Sequence, residues 1–147
     1  MLNGLDIVYI ARVAARRIMS VSISVGTRLP TYTTSMGRVL LAALVADALA
    51  YHLDQVRFEA RTLHTLRDRA SLVANLDRVR VDGYSLIDQE LELGLRSIAV
   101  PIISAGTTVA AINISVATGT FSTDQMRDIL LPPLRRAADL IGRDASQ

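Results

Sequence analysis

The residues best suited to holding a small anion lie in residues 26–43, where a predicted strand runs through a proline-containing loop into an apolar helix. Thr34 or Ser35 is the type of residue that caps a helix N-terminus, and Gly37 occupies the first turn, where alanine is normally preferred. The first amides of a helix have no intrahelical acceptor and lie at its positive end, and glycine lets a ligand approach them closely. The pattern therefore predicts an anion or carboxylate site. A capped core helix that binds nothing is the equally simple alternative.

A second polar group is predicted on an antiparallel hairpin within residues 95–116. Strand alternation places Ser97 and Ala99 on one face of the first strand, and Asn113 and Ser115 on one face of the returning strand. A tight turn brings these four positions onto a common surface. Hydroxyls and an amide on an otherwise apolar sheet would form the floor of a pocket for a polar ligand. A solvent-facing sheet surface is the alternative.

Catalytic and metal chemistry have less support. His52 and His64 have no Cys, Asp or Glu at ligand spacing around them, so we interpret both as surface residues and not as a metal pair. Asp88, Glu90 and Glu92 alternate and would form an acidic cluster in an extended chain, although a structural or capping role is the simpler interpretation. No glycine-rich phosphate loop or nucleophile elbow occurs in the sequence. We expect neither an enzyme nor a cofactor.

Composition favours one compact domain. The chain has 147 residues, of which half are hydrophobic, and no apolar run approaches the roughly 20 residues that span a bilayer. Cysteine is absent, which excludes disulfides, thiolate catalysis and Cys-based metal sites. We expect a cytoplasmic protein without membrane contact. All 16 basic residues are arginine and the net charge is +2, with no basic stripe or helix-turn-helix pattern, so these residues alone should not bind an operator.

The periodicities predict a mixed α/β domain. The predicted strands are residues 7–13, 18–25, 84–88, 95–103 and 108–116, and the first two are expected to pair. Helices are predicted at residues 36–53 and 71–81, the second ending at Gly83, with a solvated connection over residues 57–69. A last helix begins at a capping box on Ser122, and Pro132 and Pro133 are expected to kink or delay it. Its predicted core stripe is Met126, Ile129, Leu130, Leu134, Ala137 and Ile141.

Three runs occur in the order and spacing of a known family. Residues 26–43, 82–101 and 109–116 resemble the helix opening, second signature and last strand of the effector-binding domain of IclR-type bacterial transcriptional regulators. Residues 9–13, 16–21 and 24–30 further resemble the subgroup that controls protocatechuate and 4-hydroxybenzoate catabolism. The resemblance implies one GAF-like domain over residues 1–147, with a curved antiparallel sheet and helices packed on it.

In this family the effector lies between the sheet and the loop that opens the first helix. Matched residue by residue, the resemblance implicates Ser35, Met36, Gly37, Asp88, Leu95, Ser97, Asn113 and Ser115. The first three would offer backbone amides to a carboxylate, the last three would hydrogen-bond the remainder, and Met36 and Leu95 would form an apolar wall. Asp88 would position a hydroxyl or a donor of the pocket.

Three arginines are candidates for a direct contact with the carboxylate: Arg16, Arg28 and Arg96. A surface or interface role is the alternative for each. This sequence has Ser97 where some family members carry cysteine, and Asn113 where some carry serine. These departures leave the identity of the effector open.

The resemblance also implies a mechanism. A small carboxylate such as protocatechuate, 4-hydroxybenzoate or β-ketoadipate would favour one arrangement of a homodimer or tetramer and thereby change DNA binding through an N-terminal winged helix-turn-helix domain. That module and most of the strand before a predicted turn at Asn3–Gly4 are missing from the sequence, so we expect a truncated chain. An oligomerisation platform without a tight ligand, and a small enzyme acting on an aromatic acid, are the alternative functions.

Overall fold

The computed structural model describes residues 1–13 and 23–147. In chain order the strands are β1 Leu2–Asn3, β2 Asp6–Val8, β3 Arg28–Pro30, β4 Ser85–Asp88, β5 Leu95–Ser104 and β6 Thr107–Ala117. The helices are α1 Ser35–Ala42, α2 Ala46–Gln55, α3 Arg69–Asp82, the short α4 Thr123–Gln125 and α5 Leu131–Asp144, and Met126–Leu130 forms a π-helical turn between the last two. No helix within the described residues has the length and apolarity needed to cross a membrane.

The first sheet is antiparallel in the order β1-β2-β3. The predicted strand over residues 7–13 is wrong at its end, because β2 stops at Val8 and its partner is β3, with Ile7 opposite Leu29. Most of the predicted strand at residues 18–25 lies outside the described residues. The first hairpin turns at Gly4 and Leu5, one residue later than predicted, since Asn3 pairs with Asp6.

The second sheet has the order β4-β5-β6, and its three strands lie where the sequence predicted strands. Its β5–β6 hairpin turns through Ala105 (φ 49°) and Gly106 (φ 79°), the two left-handed positions that a tight hairpin with right-handed twist requires. The register sets Ser97 opposite Ser115 and Ala99 opposite Asn113. The predicted common polar surface therefore exists.

The predicted helix over residues 36–53 is two helices. No glycine or proline marks the break. Val45 nevertheless adopts an extended conformation (φ −65°, ψ 155°), which separates α1 from α2. The second helix buries Leu49, His52 and Leu53. An unbroken apolar run concealed the break, because periodicity alone cannot show where tertiary packing turns the chain. The helix predicted at residues 71–81 is confirmed, with Gly83 (φ 74°) as its left-handed end.

The last helical segment begins at the predicted capping box, where Ser122 and Gln125 bond each other's backbone amides. Its prolines occupy the first turn of α5, after the π-helical turn. The wide π turn advances the buried face by one residue, so the buried positions are Met126, Leu131, Leu134, Ala138 and Gly142. The predicted stripe is therefore wrong at Ile129 and Ile141, which are exposed.

Strand β5 is covered on both faces. Its Ala99 belongs to a core that includes side chains of α1, α2 and α3, whereas Ile98, Val100 and Ile102 pack with the apolar face of α5. The strand consequently carries few solvent-exposed side chains despite its strict alternation. This arrangement, an antiparallel sheet with helices packed on it, confirms the predicted α+β fold.

Candidate ligand-binding site

Thr34 caps α1. It has an extended backbone (φ −119°, ψ 145°), and its hydroxyl accepts a hydrogen bond of 3.2 Å from the amide of Gly37. The same hydroxyl donates to the carbonyl of Pro30 at 2.9 Å, which ties the helix start to the end of β3. Of the two capping residues that the sequence allowed, the structure uses Thr34 and leaves the Ser35 side chain available for other contacts.

Gly37 does not open the helix to a ligand. A Cβ at this position would lie 2.2 Å from the carbonyl oxygen of Thr31 and 2.5 Å from its Cα. The absence of a side chain at Gly37 therefore lets the backbone of the preceding turn, at Thr31, pack against the helix. The Gly37 amide is already bonded to Thr34. Ser35 and Met36, the first two residues of α1, keep amides that have no acceptor within the helix.

Four polar side chains meet beside this helix end, and we call them the open cluster: Ser35, Ser97, Asn113 and Ser115. The hydroxyls of Ser35 and Ser97 lie 2.5 Å apart, and Asn113 Nδ2 donates to Ser97 Oγ at 3.0 Å and to Ser115 Oγ at 3.2 Å. Strand register brings the last three together, and the packing of α1 on β5 adds Ser35. The sequence predicted all four for one site.

The open cluster forms one wall of a small cavity of about 20 Å³, room for about one water molecule, so a larger ligand enters only if the walls move apart. The lining residues are Tyr9, Ile23, Thr33, Thr34, Ser35, Met36, Ile87, Leu91, Leu95, Ser97, Asn113 and Ser115. Six of the eight residues implicated by the resemblance are among them, including the expected apolar wall of Met36 and Leu95. None of the described lining residues carries a formal charge.

Sequence reasoning missed half of this lining. Ile87 could have been predicted, because it pairs directly with Ser97 and so shares its face of the sheet. Tyr9 had no comparable signal, since it reaches the cavity from the distant first sheet. Burial raises the pKa of the Tyr9 phenol, and the positive charge of Arg12 and a hydrogen bond with Asn113 offset this only in part. Tyr9 is therefore a protonated donor at neutral pH.

Asp88 and Arg96 lie on the other face of the sheet. They pair across β4 and β5, with Arg96 Nε 2.7 Å from Asp88 Oδ1, and Arg96 also donates to the carbonyls of Thr118 and Phe121. Alternation explains the difference, because neighbours of Ile87 and Ser97 must point away from the cavity. This pair fastens the segment that leads into the last helix, and neither residue lines the cavity.

Arg28, another proposed carboxylate contact, is not in the cavity lining either. Arg28 is about half-exposed and lies 3.2 Å from Asp6 Oδ2, with a further bond to the carbonyl of Asn3. It holds the strands of the first sheet together. Arg16 lies outside the described residues.

The remaining candidates for chemistry are structural. Glu90 is buried against Arg38, as the structural interpretation of the acidic run predicted. His52 is also buried, so its interpretation as a surface residue is wrong; its Nε2 lies 2.9 Å from the hydroxyl of Thr31. Burial lowers the pKa of His52. In residues 1–13 and 23–147, no three His, Asp or Glu side chains gather as a metal site.

The sequence of this chain matches a known protein family and is similar to several regulators. Residues 1–143 match the family model of the bacterial transcriptional regulator IclR, C-terminal region. The Pca regulon regulatory protein of Pseudomonas putida is 48% identical over 139 residues, which cover 93% of this chain and 48% of that protein. The p-hydroxybenzoate hydroxylase transcriptional activator of Acinetobacter baylyi is 35% identical over 124 residues, or 84% of this chain and 46% of that protein.

Solved structures agree. The inducer-binding domain of PobR from Acinetobacter, solved as a double mutant in complex with 3-hydroxybenzoic acid, is 32% identical with a TM-score of 0.89, over 96% of this chain and 83% of that one. The C-terminal domain of Escherichia coli KdgR is also 32% identical, with a TM-score of 0.86 over 99% and 84%.

This chain spans about half the length of the two full-length regulators. These relatives are named as regulators of transcription and not as enzymes. The match of the family model to nearly the whole chain, together with the shared fold, shows that this chain belongs to the IclR family of bacterial transcriptional regulators, to whose C-terminal domain it corresponds.

Proposed function

We propose that the cavity binds a small aromatic or dicarboxylic acid and that its occupancy controls a regulator of aromatic-acid catabolism. The observation that carries this proposal is the open cluster, a set of uncharged donors and acceptors set into an otherwise apolar cavity at the end of a helix. Such a combination of apolar walls and a few convergent polar groups is typical of small-molecule sites.

The cluster is suited to exchange its internal bonds for bonds to a ligand. A serine hydroxyl can donate or accept, so Ser35 and Ser97 can each turn toward a ligand oxygen when their mutual bond is broken. The amides of Ser35 and Met36, which have no acceptor within the helix, add donors in a fixed direction at the positive end of α1. The apolar walls then cover the ring or chain of the ligand, which adds binding free energy from buried surface.

The relatives indicate the class of ligand. A regulator of the Pca regulon and an activator of p-hydroxybenzoate hydroxylase are both similar to this chain over most of its length, and a PobR domain was solved with 3-hydroxybenzoic acid. Protocatechuate, 4-hydroxybenzoate and β-ketoadipate are therefore the first candidates. The binding of one of them would favour one arrangement of a homodimer or tetramer, and a DNA-binding part outside these 147 residues would read that change.

Thermal unfolding with these three acids and with unrelated acids tests the proposal. A ligand at about 100 times its dissociation constant stabilises the folded state by roughly 2.7 kcal/mol, so a selective and saturable rise in melting temperature is expected. No rise with any of the acids would contradict the proposal and leave an oligomerisation platform as the function.

Two variants then locate the ligand. Ser97→Ala and Asn113→Ala should each weaken binding about two- to tenfold, the loss of one or two hydrogen bonds, while the domain stays folded. Ser104→Ala is the matched control, because Ser104 lies on the same strand but its hydroxyl contacts exposed Ser146. Equal affinities for all three variants and the unaltered chain would place the ligand outside the cavity.

A further inference from the structure

The cavity lacks a positive charge, although the proposed ligands are acids. Its described lining consists of apolar, hydroxyl and amide side chains. Transferring a carboxylate from water into such a site is costly unless a cation or several donors compensate for the lost hydration. Of the arginines expected to do so, Arg28 and Arg96 contact other parts of the fold.

Arg12 lies beside the cavity wall. Its Nη1 donates to the carbonyl oxygen of Ile23, a lining residue. The backbone around it is tied by two hydrogen bonds, from the Tyr9 amide to the Thr27 carbonyl (3.1 Å) and from the Gly26 amide to the Tyr9 carbonyl (2.7 Å). Arg12, which follows Tyr9 by three residues, therefore connects the two segments that carry Tyr9 and Ile23 to the cavity.

The guanidinium also acts on the phenol of Tyr9. Its positive charge lowers the pKa of Tyr9 against the larger effect of burial, and Tyr9 is in turn hydrogen-bonded to Asn113. Arg12 at the exposed side and Asn113 in the open cluster thus both act on the Tyr9 phenol, and Asn113 in turn donates to Ser97. Arg12 is solvent-exposed, and among the residues that the structure describes one of its five N–H donors bonds the Ile23 carbonyl.

We propose that Arg12 binds the carboxylate of the ligand at the mouth of the cavity, while the open cluster binds a second polar group at the opposite end. The assignment rests on the proposed function and deepens it. It selects acids that carry a hydroxyl or a second carboxylate on the far side of a ring or short chain. Arginine suits this role because its planar fork can form two parallel bonds to a carboxylate.

Calorimetric titrations of the 147-residue chain with paired acids and amides test this assignment. The probes are 4-hydroxybenzoate and 4-hydroxybenzamide, which share the ring and hydroxyl but differ in charge. Arg12→Gln should weaken binding of the acid about tenfold or more and leave binding of the amide unchanged. Arg12→Lys should restore part of the preference for the acid. Arg28→Gln is the matched control and should bind both probes as the unaltered chain does.

The outcomes separate the two proposals. If the unaltered chain binds neither 4-hydroxybenzoate nor its amide, the Arg12 assignment is overturned, whereas the proposed function is overturned only when protocatechuate and β-ketoadipate also fail to bind. If the unaltered chain prefers the acid and Arg12→Gln keeps that preference, only the assignment is overturned. Equal weakening of acid and amide by Arg12→Gln would show a structural role for Arg12 and would also overturn it.

Discussion

Helix α1 contributes to two polar clusters three residues apart, and they differ in almost every physical respect. Ser35 belongs to the open cluster, which is uncharged and faces a cavity. Arg38 belongs to what we call the closed cluster, formed by Arg38, Glu90 and Asn75. The Arg38 side chain is only 1% exposed and that of Glu90 11%. Polarity in a buried position therefore does not by itself indicate a ligand site.

The closed cluster has its donors assigned to fixed partners. Arg38 donates from Nη1 and Nη2 to the two oxygens of Glu90 at 2.9 and 2.6 Å, and from Nε to the carbonyl of Tyr32 at 2.9 Å. Glu90 also accepts from the amide of Leu66 at 3.0 Å. A buried charge pair with this geometry resists rearrangement, because loss of one partner leaves the other uncompensated. It is suited to fixing α1 in place beneath the cavity.

The open cluster has the opposite property. Its hydroxyls exchange donor and acceptor roles without the cost of isolating a charge, so a ligand can replace an internal bond at little cost. The comparison shows that two properties distinguish a structural polar group from one that binds a ligand. One is whether fixed partners fill its hydrogen-bonding capacity, and the other is whether it carries a charge. Substitutions in each cluster should therefore differ in what they change, stability in one and affinity in the other.

The largest expected effect is on the closed cluster. Arg38→Met should lower the free energy of unfolding by about 3–5 kcal/mol, because it leaves the Glu90 carboxylate buried without its countercharge. The double variant Arg38→Met/Glu90→Leu should recover much of that loss, since no charge is then buried. Urea denaturation of the three proteins measures both quantities.

Two control variants should each be less destabilising than Arg38→Met. Arg69→Met removes an exposed ion pair with Asp54 and should cost about 0–1 kcal/mol. Ser35→Ala, in the open cluster, should cost only about 0.5–1.5 kcal/mol, because Ser97 keeps its bond from Asn113. If Arg38→Met were no more destabilising than Ser35→Ala, the distinction between the two clusters would break down.

An intermediate effect is expected at Gly37, which lies between the two clusters on α1. Gly37→Ala should destabilise the domain by about 1–3 kcal/mol, because the new methyl group would meet the backbone of Thr31, which cannot move without the turn. Gly119→Ala is the matched control, since a Cβ there meets nothing within 4 Å. Equal stability of the two variants in urea would show that the turn before α1 yields freely.

The smallest effect is a pH dependence at His52. Its folded-state pKa is lowered from 6.5 by burial, so below that pH the unfolded chain binds a proton at His52 more readily than the folded chain. The contribution to stability is therefore complete above about pH 6.5 and is lost as the pH falls below it. Thr31 directs its hydroxyl proton to the carbonyl of Leu5, which leaves neutral His52 as donor to Thr31.

Urea midpoints measured between neutral and mildly acidic pH check this sign. His52→Gln should flatten the dependence in that window, whereas exposed His64→Gln should leave it unchanged. A slope that survives in His52→Gln would assign the dependence to other groups.

The sequence correctly predicted those features that depend only on residues close together in the chain. The β5–β6 hairpin, the Gly83 helix end and the Ser122 capping box all depend on residues within a few positions of each other, and all three are confirmed. The break between α1 and α2 was missed, because no residue type marks it and tertiary packing decides it. Pro132 and Pro133 did predict an irregularity before α5, but not its π-helical form. The register of β4 on β5 excluded Asp88 from the cavity and admitted Ile87.

The sequence by itself determined the family, the alternation that puts Ser97, Asn113 and Ser115 on one face, and the helix start beside them. Only the tertiary structure decided which polar groups remain available to a ligand. Ser35 meets Ser97 across 62 positions of the chain, and Arg38 meets Glu90 across 52. Whether a buried donor is saturated depends on such distant partners, and the spacing of residues along the chain does not contain that information.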